Sequence, residues 1–196
     1  MAWDKGFNFR ATSGFVTDGS NETYVLEEMY PTTRNGVTFG WNAGLQTRDR
    51  NSSLDRRLAG SHFTNNTGTQ RVFRVDLPSA QDYVISLALG DAQYAQAYLY
   101  WQLLDNTNSL AIIDDTDGTA GSHFDDATGV DRTAAAWPAD NLTITKTFAT
   151  TTLNCKIGSP SAQAGASTLA HLFVSQAAGG GTPYQPNYQR APILAQ

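Results

Sequence analysis

GWNAGLQTRDRNSSLDRRLAGSHFTNNTGTQRVFRVDLPSAQDYVISLALGD, Gly40 to Asp91, decides the fold. In its second half, Arg71 to Leu77 places Phe73, Val75 and Leu77 on one face and Arg74 and Asp76 on the other. Asp82 to Leu89 does the same with Tyr83, Ile85, Leu87 and Leu89 against Val84, Ser86 and Ala88. A period of two marks β-strands with one face in a core. The first half, residues 42 to 69, is polar and irregular and reads as a long loop region. It carries a charge cluster of Arg48, Asp49, Arg50, Asp55, Arg56 and Arg57. Because acids alternate with arginines there, the cluster reads as a structural ion-pair set, Arg48, Asp49, Arg50, Asp55 and Arg56, that pins the loop to a sheet. The competing reading turns the arginine forks toward the carboxylate of a sugar acid.

Outward from this stretch the alternation continues. Phe7 and Phe9 suggest a first strand. Thr23 to Met29 and Val37 to Trp41 suggest two more, with Asn35-Gly36 as a turn between them. Ala97 to Leu104 is apolar on both faces, and Leu110 to Ile113 is a short strand candidate. Asn141 to Phe148, Thr152 to Ile157 and Leu169 to Val174 complete roughly ten strands, at the spacing of a two-sheet sandwich. The 196 residues suit one domain, and 40% apolar with only 16% charged residues favours an all-β chain rich in turns. The net charge of -5 and a pI near 5.0 argue against a nucleic-acid partner. The single cysteine, Cys155, reads as a small buried apolar residue.

The segments TRDR (Thr47 to Arg50), LDRR (Leu54 to Arg57), FRVDLP (Phe73 to Pro78) and YVISLALGD (Tyr83 to Asp91) come in an order that resembles galactose-binding-like β-sandwiches. These are the non-catalytic, carbohydrate-binding-module-like accessory domains of rhamnogalacturonan esterases and lyases. The likeness implies a jelly-roll-like two-sheet antiparallel β-sandwich over residues 1 to 178 and a binding role. An esterase of the kind such modules accompany needs a nucleophilic serine after Gly-Asp, and here Ala92 follows Gly90-Asp91. No G-x-S-x-G elbow, phosphate loop or H-E-x-x-H motif occurs, so no catalytic residue is expected. His62, His123 and His171 stand apart from any metal spacing, and His171 reads as a sheet residue.

Sugar-binding sandwiches stack rings on aromatic faces, which makes Trp137, Tyr94, Tyr98 and Tyr100 the ligand-binding candidates, with Trp137 first. The loop DDTDGTAGSHFDD, Asp114 to Asp126, fails the EF-hand pattern, and only Asp115 and Asp117 are left as weak Ca²⁺ ligands. No other cofactor is expected. From residue 179 the chain reads GGGTPYQPNYQRAPILAQ, with three Gly, three Pro and one charge. It is an extended C-terminal arm, whose Tyr184, Tyr188, Ile193 and Leu194 are suited to contacts with other subunits, in a homo-oligomer or on capsid or tail proteins.

MAWDKGFNFR has no apolar signal core, and no run of about 18 apolar residues is present, so a cleaved leader and a membrane span are not expected. The Asn21, Asn51, Asn65 and Asn141 triplets then read as polar turns. Together these features point first to a non-catalytic virion structural protein, made in the host cytoplasm: a phage capsid decoration, fibre or tail component. A free-standing carbohydrate-binding module comes next, and an accessory fragment of a polysaccharide esterase or lyase after that. Surface glycans are the expected small partners.

Overall fold

A computed structural model of the chain describes residues 3–12, 21–50, 56–91, 93–94, 98–115, 124–125, 131–132 and 143–177. In chain order the strands are β1 (Asp4–Phe9), β2 (Glu22–Val25), β3 (Thr32–Arg34), β4 (Val37–Trp41), β5 (Gln46–Asp49), β6 (Gly60–Thr67), β7 (Arg71–Asp76) and β8 (Asp82–Gly90). They continue with β9 (Leu99–Asp105), β10 (Asn108–Asp115), β11 (Phe124–Asp125), β12 (Asp131–Arg132), β13 (Thr143–Thr147), β14 (Thr152–Ile157) and β15 (Ala162–Gln176). A single 3₁₀ turn, Arg56–Leu58, precedes β6.

Two sheets form a sandwich. The smaller runs β10-β9-β14-β7-β4-β3 and is antiparallel throughout. The larger is built on β15, which pairs with β8 along one edge. Its other edge is shared. β6 takes the first half of β15 and β1 the second, with β5 beyond β6 and β2 beyond β1. β11 and β13 lie on the far side of β8. Only the β1–β2 pair in this sheet is parallel.

The period-two residues explain the core. Phe7 and Phe9 of the larger sheet meet Phe39, Trp41 and Phe73 of the smaller, with ring centroids 5.0 to 5.7 Å apart in edge-on or tilted pairs. Ile85, Leu87 and Leu89 of the larger sheet join the same core cluster as Trp101, Leu103 and Leu153 of the smaller. Cys155 is buried there, its Sγ accepting from Trp101 Nε1 at 2.6 Å. Burial pushes the thiol up to about 12, against the hydrogen bond from Trp101, so it behaves as an apolar filler.

Two sequence expectations change. Within residues 42 to 69, Gln46–Asp49 and Gly60–Thr67 are strands, and the first pairs antiparallel with Gly60 to Phe63 despite its polar composition. The turn at Asn35-Gly36 joins β3 to β4, both residues at positive φ (52° and 71°), so the strand before it is Thr32–Arg34 and β2 ends at Val25. Of the readings open to the apolar stretch Ala97 to Leu104, the central strand holds: β9 lies between β10 and β14, with Leu99, Trp101 and Leu103 in the core.

Candidate functional site

The charge cluster divides by strand parity. On β5, Gln46 and Arg48 point to one side, followed by Arg50, while Asp49 points to the other. The arginines therefore do not pair with their sequence neighbour. Arg48 Nη1 donates to Asp91 Oδ2 at 3.1 Å. Arg50 donates from Nε to both Asp91 oxygens at 3.2 and 3.1 Å, and from Nη2 to Oδ2 at 2.9 Å. The Asp91 side chain is fully buried at the end of β8. It also accepts the backbone N–H groups of Gln93 and Tyr94, at 2.9 and 3.3 Å, and so fixes the turn that presents Tyr94. Burial alone would raise the Asp91 carboxyl. The Arg50 and Gln93 hydrogen bonds, with the charges of Arg50 and Arg48, outweigh it and hold the group below the usual carboxylate range.

Each guanidinium also lies on a ring. The Arg48 centre is 3.4 Å from the Phe63 centroid, and the Arg50 centre is 4.5 Å from that of Tyr94. Phe63 is nearly covered, whereas Tyr94 is 58% exposed, the one exposed aromatic ring among the described residues. Beside Phe63 is a shallow depression of about 300 Å³ lined by Gly44, Leu45, Gln46, Phe63, Thr64 and Arg71. Arg71 is fixed in it by donating from Nε to the Gly44 carbonyl at 2.6 Å.

On the opposite face, Asp49 is a structural post. It accepts Arg10 Nε at 2.9 Å, the Ala11 and Thr12 amides, and the Thr12 hydroxyl. Arg10 is buried, and any Cβ at Gly60 would lie 2.6 Å from its Cδ, so β1 and β6 meet closely only because residue 60 is glycine. His62 lies beneath. Trp41 Nε1 donates to its Nδ1 at 3.0 Å, and its Nε2 donates to the Arg10 carbonyl at 2.9 Å. Burial pushes this imidazole down to about 4, though the Arg10 and Val25 backbone and Asp49 pull the other way.

The remaining sequence candidates scatter. Tyr100 is buried on the smaller sheet, its hydroxyl 3.5 Å from Gln102 Oε1, and Tyr98 offers its carbonyl to Asn66. Neither shares the Asp91 turn with Tyr94. Trp137, Asp55, Asp117 and the arm residues Tyr184, Tyr188, Ile193 and Leu194 lie outside the described residues. Arg56 and Asp115 are described in backbone only, as the first residue of the 3₁₀ turn and the last of β10. Among the described residues no cluster of His, Cys, Asp and Glu is suited to a metal ion. His171 is a buried sheet residue whose Nε2 lies 3.3 Å from the Glu22 carboxylate, which Asn8 Nδ2 also contacts at 2.6 Å. Sequence reasoning missed Asp91, Arg10, Phe63, Gln46 and Arg71. Parity was the available signal, since a strand assignment for residues 46 to 49 separates Arg48 from Asp49 at once.

No protein-family model and no curated protein matches this chain. Among solved structures, it is similar to a family 35 carbohydrate binding module from an environmental isolate, at 13% identity and a TM-score of 0.38, over 74% of this chain and 96% of that one. It is similar to an exo-β-1,3-galactanase from Phanerochaete chrysosporium at 9% identity and a TM-score of 0.41, over 69% of this chain. It is also similar to a chain of the complex of the plant peptide RALF23 with FER and LLG2, at 8% identity and a TM-score of 0.48, over 94% of this chain. The likeness spans 27% of the galactanase chain and 42% of the chain from the plant complex. The sandwich itself is defined by the strand order and facing residues described above.

Proposed function

We propose that this chain is a non-catalytic carbohydrate-binding β-sandwich that holds a glycan where β5 meets the Asp91 turn. The observation that carries the reading is Tyr94. Its ring is 58% exposed, and Arg50 lies against it. Asp91 holds both the Arg50 guanidinium and the Tyr94 amide. An aromatic face fixed in this way suits the apolar C–H face of a sugar ring, and the neighbouring guanidiniums supply donors to its oxygens. Arg48 supports the same use, since it spends one nitrogen on Asp91 and its guanidinium centre lies 3.4 Å from the Phe63 centroid.

The test is a glycan array followed by titration calorimetry on the best ligand, with the parent and Tyr94→Ala. Binding by the parent and its loss in a variant that melts like the parent is the expected result. A blank array for the parent overturns the reading. The role in a particle expected from the sequence drew in part on the arm, residues 179 to 196, which lies outside the described residues.

A further inference from the structure

The strip along β5 extends beyond Tyr94. Gln46, Arg48 and Arg50 follow one another at alternate positions, so the strip from Arg50 to Gln46 runs about 13 Å at roughly 3.3 Å per residue. At its far end is the depression lined by Gln46, Phe63, Thr64 and Arg71. The Phe63 ring joins the two ends, because it lines the depression and also carries the Arg48 guanidinium at 3.4 Å. Gln46 is exposed and stands directly opposite Phe63 on β6. The depression therefore continues the Tyr94 surface.

Charge gives the strip its second property. Its described side chains include three arginines, Arg48, Arg50 and Arg71, and one carboxylate, Asp91, which two of those arginines share. Asp49 points to the other face, onto Arg10. The strip is thus cationic on a chain whose net charge is -5. A cationic strip of this length beside one exposed ring matches a short chain of sugars that carries carboxylates, not a single neutral sugar.

We infer that the depression lined by Gln46, Phe63, Thr64 and Arg71 is a second subsite, and that the ligand is an acidic oligosaccharide running along β5 from Tyr94 to Arg71. The inference rests on the glycan-binding reading of Tyr94 and adds to it the ligand's length and charge. In this arrangement one sugar ring covers Tyr94. The carboxylate of a following unit meets Arg48 at the nitrogens not spent on Asp91. A third unit enters the depression, where the Gln46 amide and Arg71 meet its polar groups.

Calorimetry with linear galacturonate oligomers of one to four units, against neutral galactose oligomers of the same lengths, tests this. Affinity for the uronates is expected to rise about tenfold or more from monomer to trimer and then level off. It should weaken as salt rises from about 0.02 M to about 0.5 M, a range over which the Debye length shortens severalfold. Gln46→Ala and Arg71→Gln should reduce trimer affinity toward that of the dimer and leave monomer affinity unchanged, whereas Tyr94→Ala should weaken every length. Affinity independent of length, or neutral oligomers binding as tightly as uronates, overturns the inference while leaving the Tyr94 reading intact. No binding by the parent to either series overturns both.

Discussion

Replacing Asp91 by alanine removes the group on which the proposed site is built. Its side chain has no solvent exposure, and it accepts from two guanidiniums and two backbone amides. Breaking a buried ion pair from one side costs about 3–5 kcal/mol, because the remaining charge stays desolvated. Here Arg48 and Arg50 retain 24% and 20% side-chain exposure, so water recovers part of that cost. The expected loss is therefore about 2–3 kcal/mol, or roughly 5–10 °C in melting temperature for a chain of this size. The contacts also rank the partners. Arg50 reaches Asp91 through Nε and Nη2, and Arg48 through Nη1 alone. A double-mutant cycle by thermal and urea melts should thus give Asp91–Arg50 a larger coupling than Asp91–Arg48. An Asp91→Ala variant that melts with the parent, or equal couplings for the two arginines, would refute the reasoning.

Four other outcomes are expected. His62 has its folded-state value lowered to about 4 against about 6.5 when unfolded, so the unfolded chain binds more protons between those values and stability falls as pH drops through that window. The loss approaches about 3 kcal/mol below pH 4, and urea melts from pH 7 to 4 on the parent and a His62→Gln variant read it as a difference in slope. Gly60→Ala forces a Cβ against Arg10 and the Phe9 carbonyl and should cost about 2 kcal/mol or more, measured by urea melts. Asp105→Ala should cost about 2–3 kcal/mol in the same assay, since the buried carboxylate accepts the Ala149 and Thr150 amides and the Thr150 hydroxyl and fixes the turn between β13 and β14. Tyr94→Ala should leave the melt within about 0.5 kcal/mol of the parent, as surface changes do, while weakening glycan binding by about 1–2 kcal/mol.

The sandwich was legible wherever one face of a strand is apolar and the other polar. Arg71 to Asp76 is a strand with the faces that its alternation predicts. Thr152 to Ile157 likewise alternates core and intermediate positions. Asp82 to Gly90 is a strand as well, but both of its faces are covered, with Val84, Ser86 and Ala88 also buried. β5 and β6 were not legible. Gln-Thr-Arg-Asp has no apolar residue, and β6 buries the polar His62 and Asn66, both held by hydrogen bonds. Tertiary pairing, not pattern, makes those residues strand. The same gap hid the candidate site. Without the strand, Arg48 and Asp49 looked like partners. With it, Asp91, some forty residues away in sequence, becomes the partner of Arg48 and Arg50, and Arg10 that of Asp49. Tyr94 was a candidate because an aromatic face can stack a sugar ring, but its link to Arg50 depends on a contact across 44 positions that no local window carries.

The most direct test is amide and side-chain NMR shift mapping on the parent during titration with the best array ligand. The largest changes are expected to centre on Tyr94, the Arg48 and Arg50 guanidinium N–H groups and Gln46, with Trp41 and His62 in the core unmoved. Changes centred instead on the smaller sheet, at Gln102, Asn154 and Lys156, or no changes at saturating ligand, would contradict it.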